Sequence, residues 1–279
     1  MSRWNACGRS ILDGSAPRAK IMGVVNVTPD SFSDGGRWGT PELAAEHASR
    51  LVNDGADLLD IGGESSRPGS DPVPLDEELR RVIPAVEAIA GLKVPISVDT
   101  TKAEVARLAI RAGASIINDI TGLTGDPAMV RVASETGAGV VLMHMAGTPK
   151  TMQAEPFYRD VVAEVHNYLA IRIEALETAG IPRDRIAIDP GIGFGKTFEH
   201  NLELLRNLRR FATLGCAILV GTSRKRFLGT ITGRGVDERL IASVVSSLAA
   251  AEHGADVVRV HDVAAMSDAI KVWEAMINR

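Results

Sequence analysis

A length of 279 residues suits one (β/α)8 barrel better than a small two-layer domain. With 45% hydrophobic and 24% charged residues the chain can build a large core, and its net charge of −4 speaks against a general nucleic-acid binder, which needs a basic face. Two cysteines, Cys7 and Cys216, cannot make a disulfide framework or a cysteine metal site, which fits a soluble protein of the reducing cytoplasm.

Residues 1–20 hold Arg3, Arg9, Arg18 and Lys20 but no apolar signal-peptide core, and are expected to form a loosely ordered lead-in to one domain over 21–279. The first apolar run, 21–26, predicts a strand, followed by a long loop over 27–40 and a helix near 41–53. A second strand over 57–62 leads through another long loop, 63–74, to a helix near 75–90. Strands at 95–99, 115–118 and 139–144 then alternate with helices near 102–112, 127–136 and 158–179. The pattern ends with strands at 185–189, 216–221 and 256–261 and helices near 198–210, 237–253 and 263–277. The strands are short and rich in Val and Ile, as strands buried on both faces should be. None of the apolar runs approaches the roughly 18 residues of a membrane span.

Strict alternation implies parallel strands joined by crossover helices, and eight units without a linker favour a closed (β/α)8 barrel over an open sheet. Gly55-Ala56, Gly113-Ala114, Gly137-Ala138 and Gly254-Ala255 recur between helix and strand, where glycine ends a helix in the left-handed conformation. Polar residues fall on one side of this pattern. Asn26, Asp99, Asn118, His144, Asp189 and His261 stand at C-terminal strand ends, with Arg67 and Lys225 just beyond two others. In a barrel these ends converge on one face, where active sites lie, and core packing has no use for the bias because buried polar groups cost free energy unless paired. Any one of these residues alone reads better as a helix cap, an ion-pair partner or, for Arg67, a surface charge. Their convergence favours an active site.

Two segments carry a family resemblance. The run MGVVNVTPDSFSDGG at 22–36 resembles the first signature of the dihydropteroate synthase family almost residue for residue, and DIGGESSRPG at 60–69 resembles the second. Ser97-Val-Asp-Thr100, Asn118-Asp119, Asp189-Pro-Gly-Ile-Gly-Phe-Gly195, Ser223-Arg-Lys225 and Arg259-Val-His-Asp262 follow in order, so the likeness runs from about residue 21 to 271.

The resemblance implies a transferase that joins 6-hydroxymethyl-7,8-dihydropterin pyrophosphate to p-aminobenzoate. It places Asp99, Asn118 and Asp189 on the pterin, with Lys225 beside them. Chemistry agrees: a buried carboxylate accepts paired N–H donors from an amidine-like ring edge, and an Asn amide donates and accepts. Asn26, Arg67, Arg259 and His261 are implied on the pyrophosphate, whose developing charge needs cationic and N–H donors. Asn26 is also implied on Mg2+, with Asp34 a further candidate metal contact; Mg2+ keeps several waters and needs few protein ligands. Ser66, Pro68, Phe194 and Ser223 are implied around the arylamine, and the resemblance further implies a homodimer.

Gly191-Ile-Gly-Phe-Gly-Lys196 looks like a phosphate loop of the Walker A kind. It has three residues where that motif needs four before its Gly-Lys pair, and residue 190 is proline, so the likeness is rejected. The six histidines show no H-x-x-x-H spacing, and His144 is given no role. Two alternatives stand beside the synthase: a pterin-binding methyltransferase acting on methyltetrahydrofolate, and a barrel that binds folates without turnover. Either leaves the anion set of Asn26, Arg67, Arg259 and His261 without a purpose.

Overall fold

The computed structural model describes residues 2–14, 18–28, 40–67 and 69–277. Asp34, most of the first long loop and Pro68 lie outside the described residues.

Two short strands, β1 (Arg3–Ala6) and β2 (Arg9–Asp13), open the chain. Eight parallel strands follow: β3 (Lys20–Asn26), β4 (Leu58–Gly62), β5 (Ile96–Asp99), β6 (Ile116–Asp119), β7 (Gly139–Met143), β8 (Ile186–Asp189), β9 (Ala217–Val220) and β10 (Val257–Val260). They close into a barrel in chain order, with β10 pairing both β9 and β3. The helices run outside: α1 (Pro41–Asn53), α2 (Leu75–Ile89), α3 (Ala103–Ala112), α4 (Met129–Thr136), α5 (Val161–Thr178), α6 (Phe198–Arg206), α7 (Arg226–Thr232), α8 (Leu240–Glu252) and α9 (Val263–Ile277). The expected (β/α)8 architecture is what the chain adopts. The helix expected near 237–253 divides into a short turn at Val236–Glu238 and α8, and α7 forms ahead of it. None of the described helices is long and apolar enough to cross a membrane.

Alternation along the strands sorts residues between two packing layers. One set, including Ile21, Val25, Leu59, Ile61, Ile117 and Val140, joins the inner faces of the helices in the main core. The opposite set, including Met22, Leu58, Ile116, Val141, Ala187, Ala217, Leu219 and Val257, packs as a separate cluster inside the barrel.

That inner cluster also contains Trp4, Ala6, Ile11 and Leu12, so within the stretch expected as a loosely ordered lead-in over 1–20, residues 3–13 are packed on the barrel. β1 and β2 pair as an antiparallel hairpin that packs on this inner layer of side chains, at the end of the barrel opposite the strand C-termini. Trp4 is fully buried and donates from Nε1 to the carbonyl of Arg185 at 3.2 Å; the Cys7 amide donates to Gly137 O at 2.8 Å. A Cβ on Gly139 would lie 2.9 Å from that of Ala6, so glycine at the start of β7 is what lets the hairpin in.

Candidate active site

The inward-facing set changes character toward the C-terminal strand ends. Above the apolar layer lie Asp60 and Ser97, paired in register, and Arg259 on β10. Above these come Asp99 and Asn118, again in register, with Asp189 opposite Met143. Asn26 ends β3 and His261 directly follows β10. All of these share the parity of the inner apolar cluster, so the strands aim them into one mouth.

Arg259 organises the floor. Its Nε donates to Asp60 Oδ2 at 2.6 Å and its Nη2 to Asp99 Oδ2 at 3.1 Å, while Asn118 Nδ2 donates to the same Asp60 oxygen at 3.1 Å. Burial pushes the Asp99 carboxyl up to about 7; the charge of Asp60 adds to this and Arg259 opposes it. Asp60 Oδ1 and Ser97 Oγ are buried without a hydrogen-bond partner among the described residues.

On the far wall, Asp189 Oδ1 accepts the Gly191 amide at 2.7 Å, and burial raises this carboxyl too. The Lys225 ammonium donates to the Ile192 carbonyl and stands 4.0 Å from the centroid of the Phe194 ring. Burial lowers it to about 8, against the pull of Asp189. His261 pairs through Nδ1 with Ser223 Oγ at 3.0 Å, and its backbone amide donates to the same oxygen at 3.2 Å. Burial and the nearby Arg259 press this imidazole down to about 3, so it is neutral. A Ser223 hydroxyl that donates to Nδ1 leaves Nε2–H as the ring's donor. Ser223 and His261, expected on different substrates, are thus bound to each other.

The loops complete the rim. Ser66 is half-buried, and Arg67 is exposed with no hydrogen bond or ion pair for its guanidinium among the described residues; its charge still reaches His261. Asn26 is half-buried at the rim. The rejected phosphate loop has another reason for its glycines. Gly191 adopts φ +70, and a Cβ there would lie 1.9 Å from the His144 carbonyl, so the segment packs directly against the end of β7.

Two residues escaped the sequence reading. Asp60, fully buried in the body of β4, is the hub that Arg259 and Asn118 share; a lone carboxylate in the run LLDIG was the available signal. Lys196 is buried under the glycine-rich segment, donating to Phe194 O at 2.9 Å and to His144 Nδ1 at 3.0 Å. Burial lowers it to about 7, against the pull of Asp189 and with the charge of Lys225 adding to the fall.

Residues 22–261 match the family model described as pterin binding enzyme. The dihydropteroate synthase of Escherichia coli (strain K12) is 48% identical over 268 residues, spanning 96% of this chain and 94% of that protein. The chain belongs to the dihydropteroate synthase family of pterin-binding enzymes. Its barrel superposes on the family's solved structures. The Xanthomonas albilineans dihydropteroate synthase with 4-aminobenzoic acid gives a TM-score of 0.91 at 48% identity over all of both chains. The same organism's enzyme in complex with 7,8-dihydropteroate gives 0.88 at 47% identity, over 99% of both chains.

Proposed function

We propose that the chain joins 6-hydroxymethyl-7,8-dihydropterin pyrophosphate to p-aminobenzoate, giving 7,8-dihydropteroate and pyrophosphate, a step of folate biosynthesis. The observation that carries the reading is the converging mouth: Asp99, Asn118, Asp189 and Lys225 line it, with Arg259 at its floor and His261 and Arg67 beside them. The family's solved complexes with 4-aminobenzoic acid and 7,8-dihydropteroate support the same pair of ligands here.

Asp99 and Asp189 each have a carboxylate oxygen left over from the internal bonds to meet pterin N–H groups, with Asn118 supplying an amide. The C–O bond to the leaving pyrophosphate breaks early, because the pterin ring spreads positive charge from the exocyclic carbon, and the aniline nitrogen then forms the C–N bond and sheds a proton. No strong base is needed, in keeping with a neutral His261 that donates from Nε2 and with lysines and arginines that receive the departing charge. Ser66, Pro68, Phe194 and Ser223 are the proposed surroundings of the arylamine.

Mg2+ belongs to the same proposal. Among the described residues there is no cluster of three His, Cys, Asp or Glu side chains able to cage a metal. That fits an ion which keeps most of its water and takes few protein ligands, for which Asn26 at the rim and Asp34 are the candidates. When bound it would neutralise part of the pyrophosphate charge.

We also propose a cytoplasmic homodimer. Leu240, Ile241 and Val245 of α8 and Val272 and Met276 of α9 are exposed apolar side chains on two neighbouring helices, the composition of a subunit interface. The function is tested by pyrophosphate release with both substrates and Mg2+. Release that requires p-aminobenzoate is expected, and its absence with both substrates present would overturn the reading.

A further inference from the structure

The loop bearing Ser66 and Arg67 leaves the barrel after Gly62 and returns at Leu75, the first residue of α2. One side chain ties its two ends together: Glu64 Oε2 accepts the amide of Val73 at 3.1 Å. The same oxygen accepts from Lys102 Nζ at 2.5 Å, and Lys102 also meets Glu78 Oε2 at 2.5 Å. Glu78, in the first turn of α2, is fully buried, and its Oε1 accepts from the Thr100 hydroxyl at 2.6 Å. Thr100 directly follows Asp99. The base of the loop is therefore bolted to α2 and to the end of β5.

One ammonium between two carboxylates leaves this cluster negative, so it would repel a pyrophosphate rather than hold one. Its geometry is that of a brace. The Arg67 guanidinium, with no hydrogen bond or ion pair among the described residues, is placed by its backbone, whose carbonyl accepts from the Ser70 hydroxyl at 2.8 Å and whose amide donates to Ser65 Oγ at 3.4 Å. The loop's tip rests on the segment after β7 through a Gly69 amide bond to Pro149 O at 3.1 Å.

We infer that Glu64, held by Lys102 and Glu78, is a positioning residue that closes the base of this loop and thereby sets where the Arg67 guanidinium stands. The inference rests on the proposed role of Arg67 toward the leaving group. A loop without the brace must lose its closure entropy at each encounter, which lowers kcat/KM without removing any group that touches substrate.

A double-mutant cycle decides it. Glu64→Ala should lower kcat/KM by roughly tenfold, while Arg67→Ala lowers it further and the double variant stays within about twofold of Arg67→Ala. Losses that multiply would overturn the inference, as would an equal loss of affinity for a pterin lacking pyrophosphate. If Glu64→Ala does not fold, Glu64→Gln takes its place, since it keeps the size of the side chain but gives up the charge through which Lys102 holds the oxygen that accepts from Val73. Hydrogen exchange of the Val73 amide separates this inference from the role of Arg67. Faster exchange in the Glu64 variant and in Lys102→Met supports the brace even if Arg67→Ala proves fully active, and unchanged protection in both variants overturns it.

Discussion

Asp99 stands between Asp60, which drives its proton on, and Arg259, which drives it off; with burial, the balance puts its titration at about 7 against an ordinary 3.8. A carboxyl whose pKa rises on folding favours the folded state at low pH, and that contribution fades as pH climbs toward 7. In the proposed role of Asp99 toward the pterin the sign is opposite, because only the ionised carboxyl has its remaining oxygen free to accept from ring N–H groups. Pterin affinity should rise with pH up to about 7 and level off above, falling by about tenfold per pH unit below it. Calorimetry across this range checks the slope, which Asp99→Asn should flatten. If Asp189 meets the pterin as proposed, Asp189→Asn replaces an acceptor oxygen with a donor, and should cost roughly 2–3 kcal/mol of pterin binding by the same measurement. Arg259 cannot be a contact for the leaving group alone. Removing it strands Asp60 and Asp99, so Arg259→Ala should lose roughly 3–5 kcal/mol of stability in denaturant titrations, and lose affinity even for a pterin without pyrophosphate. Most of the residues in the mouth were legible because they end apolar runs. Asp60 and Lys196 were not, since one lies within a strand and the other bonds to groups that only the closed fold supplies.

At the level of elements, the eight barrel strands could be read because burial on both faces leaves continuous Val- and Ile-rich runs. The hairpin of β1 and β2 could not. Its apolar positions, Trp4, Ala6, Ile11 and Leu12, are interrupted by polar residues, and the surface they cover is assembled from seven of the barrel strands. The glycines of the 191–195 segment were visible as a string, but their purpose depends on the backbone of His144 lying against them. Trp4→Ala should cost roughly 3–5 kcal/mol in denaturant unfolding, since a fully buried ring and its bond to Arg185 O are lost together. Turnover per folded molecule should hardly change, because the hairpin sits at the far end of the barrel from the mouth; a large fall in kcat at full folding would refute that separation.

The whole molecule adds the question of assembly. Ile241 is 78% exposed and Met276 73%, so a charge at Ile241 should leave the monomer fold intact while weakening any pairing through α8 and α9. Sedimentation should show a dimer for the native protein and a monomer for Ile241→Asp, and identical behaviour would remove these helices from the interface. The hairpin has a further consequence, for biosynthesis. It leaves the ribosome before the barrel strands do, yet Trp4 bonds to a carbonyl 181 residues later, and its seat includes Ala217, Leu219 and Val257. At the opposite end, Asp60 waits 199 residues for Arg259. β3 likewise keeps one edge unpaired until β10 is made. A growing chain thus carries an open sheet edge, a bare apolar underside and an uncompensated carboxylate until β10 emerges, so that one strand decides at once whether the barrel shuts, the hairpin seats and the floor of the mouth is neutralised.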